Sequence, residues 1–249
     1  GDLQPSVSYT TRRWQYQLRF AGDRRYLASR SRVFTVESSM AVTASTGLRT
    51  TVSLGNAIPL EGQVDPVVDR TAVQVQRRTS RGWRTVGTAE VRADGTYSTT
   101  LRPSRSGKLS YRVRHPGDRL RVAGVSNAFA LQVYAARIAA VQPSDAISES
   151  QDLNRESIVV RNTGRIPVPI SAWSVVSNRA DEQQVPAAPW LRAGDVVTIH
   201  SGRGRTQPGH IYLGRRIPMW TDSGIATLRD EHGDVAHERR HGPAWSVAP

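Results

Sequence analysis

The sequence predicts an all-β protein built of tandem sandwich modules, and three observations carry that expectation. Short runs of alternating apolar and polar residues recur at the spacing of strands and turns. A segment near the N-terminus, starting at Trp14, returns 95 positions later without a gap. The 249 residues, with 20 Gly and 14 Pro, are too many for one small sandwich and suit two compact domains with additional material.

Composition narrows the class further. Val, Thr, Ser and Arg dominate, which suits strands separated by turns and leaves little for long helices. The absence of cysteine excludes disulfide frameworks and cysteine-ligated zinc, and is neutral on compartment. No apolar run approaches the roughly 18 residues that cross a bilayer. No signal peptide is recognisable and the chain starts at Gly1, so it is expected to be a processed product or part of a longer protein.

The formal charge is +13, and +12 of it lies before residue 135. A field of that sign over half the chain draws in polyanions. A compositional bias explains it equally: Lys108 is the only lysine and every other cation is Arg, as a GC-rich genome would supply.

The repeat defines the organisation. Tyr16, Arg19, Gly22, Asp23 and Arg24 return as Tyr111, Arg114, Gly117, Asp118 and Arg119, and Ala28, Ser31 and Phe34 return as Ala123, Ser126 and Phe129. In the second copy the segment closes a module, whereas 13 residues precede Trp14 in the first. Residues 1–38 therefore read as the last two strands of a truncated module. A lone two-stranded hairpin is marginal in water, so this segment is expected to pack on a neighbouring module or pair with another chain.

Residues 39–134 read as a complete module. Val52/Leu54, Val73/Val75 and Tyr111/Val113 alternate with polar neighbours, and Asp65-Pro66, Arg81-Gly82, Asp94-Gly95 and Pro116-Gly117 supply turns. The series Leu60–Val64, Val73–Arg77, Gly82–Val86, Asp94–Tyr97 and Tyr111–Arg114 resembles the immunoglobulin-like modules, similar to fibronectin type III, of bacterial surface proteins. That resemblance implies a fold and no activity. Trp83, Tyr97 and Tyr111 are expected in the core. With Val73, Val75, Tyr111 and Val113 inward, Arg78, Arg112 and Arg114 point outward. Together with Arg84, and with Arg19 in the first copy, they form a candidate polyanion-binding face. The competing reading is a solvated sheet surface whose charges discourage edge aggregation.

Residues 135–249 carry a second resemblance. The run from Leu153 through Asn162 and Gly164 is followed by Trp173, by Leu191–Gly204, by Tyr212–Gly214 and by Trp220–Asp230. In that order they resemble a bacterial lamin-tail domain, itself an immunoglobulin-like sandwich; Ser157 stands where an aromatic is usual. Trp173 is expected as a core plug with Trp220 near it, residues 143–152 as a flexible loop, and Ala226–Val235 as a final hairpin.

Several chemical-looking motifs are set aside. His237-Glu-Arg-Arg-His241 matches H-E-x-x-H, but no helix-forming flanks surround it and no third ligand follows. In a strand, His237 and His241 would share a face with Arg239, so no metal is assigned. The Gly202–Arg205 stretch lacks a phosphate loop's setting and reads as a hairpin loop, with Arg203, Arg205, Arg215 and Arg216 as a secondary basic cluster. Asp181-Glu182 is read as a loop without calcium ligands. The chain is thus expected to be a non-enzymatic, cofactor-free, extracellular or cell-surface module array, structural or adhesive, with an accessory or anchoring lamin-tail domain. Binding of anionic polymers (DNA or a cell-wall polymer) or of other surface proteins is the alternative. Another is the accessory region of a secreted hydrolase or nuclease.

Overall fold

A computed structural model describes residues 13–67, 71–143, 152–177 and 181–242. The described chain is all-β, with several sheets and two single 3-10 turns. It divides into two compact units. The first comprises residues 1–47, 59–100 and 110–129, and the second residues 48–58, 101–109 and 130–249. The loop expected at 143–152 lies almost wholly outside the described residues.

The first unit begins with β1 (Arg13–Tyr16), β2 (Arg19–Phe20), β3 (Ser29–Arg30) and β4 (Phe34–Glu37). β1 pairs antiparallel with β4, and β2 with β3. The chain continues through β5 (Ala41–Val42), β6 (Thr51–Ser53), β7 (Ile58–Asp65), β8 (Ala72–Thr79), β9 (Gly82–Glu90), β10 (Thr96–Leu101), β11 (Gly107–His115), β12 (Gly124–Val125) and β13 (Phe129–Tyr134). β10, β7 and β5 form one sheet, while β9, β8 and β11 lie side by side in another, with β12 on β11. Leu60, Val64, Val73, Val75, Tyr97, Tyr111 and Val113 are buried, as period-two alternation requires of strands packed on one face. Gly62 permits close approach: a Cβ there would lie 2.1 Å from the Thr43 carbonyl oxygen.

The sequence repeat is also a repeat of hydrogen bonds. The Asp23 carboxylate accepts from the backbone N–H groups of Arg25 (2.7 Å) and Tyr26 (2.8 Å), and Asp118 from those of Leu120 and Arg121 (both 2.7 Å). The Ser31 hydroxyl accepts from the Leu18 N–H and donates to the Arg32 carbonyl; Ser126 does the same with Val113 and Asn127. Tyr16 stacks on Phe34 at 5.5 Å and Tyr111 on Phe129 at 6.0 Å. Gly22 and Gly117 take φ of +85° and +84°, and a Cβ on either would meet the backbone of Ala28 or Ala123 at 2.8 Å. The matched positions are those that set turn and register, so residues 13–37 share the local structure of residues 108–132.

The second unit contains β14 (Ala136–Gln142), β15 (Ser157–Asn162), β16 (Ser174–Val176), β17 (Glu182–Gln184), β18 (Val196–His200), β19 (His210–Tyr212), β20 (Gly224–Arg229) and β21 (Val235–His241). Their sheets run β14-β15-β18-β19 and β17-β16-β20-β21. The core gathers Ile158, Val160, Val175, Ile199, Ala226 and Leu228 around Trp173 and Trp220, with Tyr134 edge-on to Trp173 at 6.2 Å. Both tryptophans are thus where the sequence expects them, and β20–β21 is the expected final hairpin. Asn162 does more than make a turn. Its amide donates to the carbonyls of Ile166 and Leu191 and its carbonyl accepts from the Gly164 N–H (all 2.8 Å).

Residues 48–58 belong to this unit and are fastened to its last hairpin. β6 pairs parallel with β13. Arg49 forms a 2.7 Å ion pair with Asp234, Thr51 bonds His232 at 2.7 Å, and the Ser53 hydroxyl donates to the buried Asp230 carboxylate at 2.7 Å. Asn56 adds a bond to the Val235 carbonyl. One expectation needs correction here. β18 and β19 are parallel, so the Gly202–Arg205 stretch lies in a connection between parallel strands, which a tight hairpin turn cannot make.

Candidate anion-binding face

β8, β9 and β11 build the first unit's outward basic surface. Arg112 lies opposite Gln76 and Arg114 opposite Gln74, and directly opposed residues share a face. The Arg112 Nε donates to Gln76 Oε1 at 3.0 Å, and an Arg114 guanidinium N–H to Gln74 Oε1 at 3.3 Å. The two glutamines thereby fix the stems of the two arginines. Cation–π contacts complete the arrangement. The Arg112 Cζ sits 4.4 Å from the centre of the Trp83 ring and that of Arg78 sits 5.5 Å from it.

Two expectations change at this surface. Trp83 is half-buried beneath two guanidinium groups and is not a core residue, whereas Tyr97 and Tyr111 are buried as expected. Arg84 does not join Arg78: it lies opposite Arg77, and Trp83 lies opposite Arg78. A β-bulge is the cause. Val75 pairs with Gly87 but Gln76 with Thr85, so Val86 is the extra residue, and the β9 side chains before it, Arg84 and Trp83 among them, lie on the opposite faces from those that unbroken alternation from Gly87 would give. Arg19 pairs with Arg30 in the separate β2–β3 ribbon and donates to Gln17, which holds the place of Arg112 in the first copy.

The electrostatics follow from the crowding of like charge. Burial pushes the Arg112 guanidinium below its ordinary value, and the neighbouring Arg114 and Arg78 charges push the same way. None of Arg78, Arg112 and Arg114 has an acidic partner among the described residues. Two guanidinium groups over one indole with a third beside them, two of the three tethered by glutamines, offer forked N–H donors to phosphate, sulfate or carboxylate oxygens. Such contacts position a polyanion without reading its sequence.

The secondary cluster is weaker. Arg215 forms an ion pair with Asp181, which removes it as a free cation, while Arg203, Arg205 and Arg216 are exposed. Asp181 is engaged by that pair, and Glu182 begins β17 and accepts from the Ser174 hydroxyl, so Glu182 is in a strand rather than a loop. His237 and His241 lie on β21 opposite Leu228 and Gly224, with Arg239 between them on the same face, as the strand reading anticipates. They turn to different backbone groups. His237 Nδ1 accepts from the Ile138 N–H at 3.3 Å and His241 Nε2 donates to the Thr221 carbonyl at 2.9 Å.

Sequence reasoning missed two polar constellations in the second unit. His200 stacks on both Tyr212 (4.7 Å) and His210 (5.2 Å), and its Nε2 lies 2.9 Å from His210 Nδ1. The parallel pairing of β18 with β19 that assembles them leaves no periodic signal. Glu156 is fully buried, and its carboxylate accepts from the backbone N–H groups of Met219 and Trp220.

No family model matches the chain. No curated protein matches it either. Among solved structures it is similar to a chain described as a tetra-tandem repeat in the extending region of a large adhesion protein. The identity is 15% and the TM-score 0.33, over 92% of this chain and 56% of the other. The chain therefore spans little more than half the length of that neighbour. Among the described residues, no helix is long and apolar enough to cross a membrane.

Proposed function

We propose that this chain is a non-catalytic, extracellular or cell-surface module array with a structural or adhesive role, ending in an accessory or anchoring domain of the lamin-tail kind. The observation that carries the reading is the duplication of residues 13–37 in residues 108–132, down to the Asp23/Asp118 turn and the Ser31/Ser126 bridge. Duplicated modules held in one chain serve by extension and multiple contact. The lamin-tail part rests on the order of motifs from Leu153 to Asp230. It is supported by a core in which Trp173 and Trp220 are both buried between the motif strands. The test is labelling of intact producing cells with an antibody to the chain. Labelling without permeabilisation is the expected result, and labelling only after lysis overturns the reading.

A specific observation favours a second activity of the same array, the binding of anionic polymers. It is the Arg78–Trp83–Arg112 stack with Arg114 beside it, a cationic surface without acidic partners among the described residues. Retention on heparin or duplex DNA that weakens steeply with salt supports this, and retention indifferent to salt overturns it.

A further inference from the structure

The duplicated segments differ in what covers them. In the second copy the inward side chains Tyr111, Val113 and Leu131 are buried, with Val113 and Leu131 at 0% exposure. Their counterparts 95 positions earlier are Tyr16, Leu18 and Val36, and Leu18 is 69% and Val36 46% exposed. Phe20 and Phe34, at the positions of buried His115 and half-buried Phe129, are also exposed. Four exposed apolar side chains, with half-buried Tyr16 among them, exceed on one small ribbon the scattered exposure of an ordinary surface. The backbone is open as well. β11 has β8 along one edge, whereas β1 and β2 have no partners besides β4 and β3 among the described residues.

From the duplication we infer that the ribbon of residues 13–37 is a strand-acceptor site, and that its occupant is the β8–β9 part of a module of this same kind. The second copy specifies the register. Tyr111, Arg112, Val113 and Arg114 pair with Arg77, Gln76, Val75 and Gln74. The incoming strand therefore runs antiparallel to residues 16–19, with the equivalent of Val75 opposite Leu18 and that of Gln74 opposite Arg19. Main-chain hydrogen bonds along the open edge supply affinity, and the β-branched equivalent of Val75 that meets Leu18 supplies selectivity. The occupant is a module part and not a generic apolar ligand, because the ribbon keeps the turn, the serine bridge and the aromatic stack of the complete module. The inference rests on the modular reading proposed above but has its own failure mode.

The test uses the full chain and a fluorescently labelled synthetic peptide with the sequence of residues 71–91, read by anisotropy and by hydrogen exchange of residues 13–37. Saturable binding that slows exchange at residues 16–19 is expected. Leu18→Asp should weaken it roughly tenfold or more, since burying one leucine is worth that much. Leu18 is exposed in the free chain, so this variant leaves the fold intact, and Val36→Asp provides a second check. Gln17→Ser, on the opposite side of the strand, should bind as the parent does. Absence of saturable binding, or binding unaffected by both aspartate variants, overturns the inference. So does a chain that self-associates through this face, with Leu18→Asp restoring the monomer in light scattering, because the occupant is then an intact second copy. Cell-surface labelling is untouched by any of these results.

Discussion

Replacing Arg78, Arg112 and Arg114 together by Ser removes the three cations of the outward face while leaving the buried Val73, Val75, Tyr111 and Val113 in place. The effect on polyanion binding can be worked from the geometry. Each guanidinium that neutralises a phosphate adds about −0.9 to the slope of log K against log salt, so three give about −2.7. Between roughly 50 and 200 mM salt, those contacts alone account for about a 40-fold change in affinity. Duplex DNA binding measured by anisotropy across that range should therefore lose about 2.7 units of slope in the triple variant. Arg84→Ser is the internal control, because the bulge in β9 turns Arg84 away from this face; it should leave most of the slope unchanged. A triple variant with the parent's slope, or an Arg84→Ser variant with an equal loss per charge, would refute the assignment of the face.

Three further outcomes follow from buried polar geometry. Glu156→Ala strands the N–H groups of Met219 and Trp220 in the core, and at ~1–3 kcal/mol per orphaned donor should lower urea stability by about 2–6 kcal/mol; a loss under about 1 kcal/mol would contradict the role given to it. Gly124→Ala would set a Cβ 1.9 Å from the Met40 carbonyl oxygen, so a destabilisation of about 1–3 kcal/mol is expected from the same assay. The third concerns pH. Burial pushes the His115 imidazole down, with Asp118 opposing and Arg114 assisting the shift. His115 Nδ1 accepts from the Gly117 N–H at 3.1 Å, and protonation would break that bond. A folded value below the unfolded one means that the unfolded state binds the proton first, so stability falls as pH drops below about 6.5. His115→Phe, with the residue the first copy carries at Phe20, should flatten that slope in pH-dependent melts. Part of it should remain, because burial pushes His237 down as well.

The all-β class, the repeat and most of the core were legible because they rest on local pattern. Period-two alternation assigns Val73, Val75 and Val113 to the interior, and Trp173 and Trp220 follow from size and apolarity. The repeat was legible for the same reason, since Gly22, Asp23 and Ser31 act within a few residues of themselves or across one short ribbon. The outward placement of Arg78, Arg112 and Arg114 also follows from alternation.

What alternation could not supply was register between strands. One extra residue, Val86, exchanged Arg84 for Trp83 opposite Arg78 and converted an expected core tryptophan into the platform of the cationic face. The parallel pairing of β18 with β19 brought His200 to His210 and Tyr212. The burial of Glu156 against Met219 and Trp220, over 60 residues away, likewise depends on long-range closure. By itself, then, the sequence determined which residues make strands, which face of each strand is apolar and which segment is duplicated. Only the tertiary structure decided which side chains meet and which copy of the duplicated ribbon lies uncovered. Propensity and periodicity act along the chain, whereas bulges, strand order and burial are settled by packing across it.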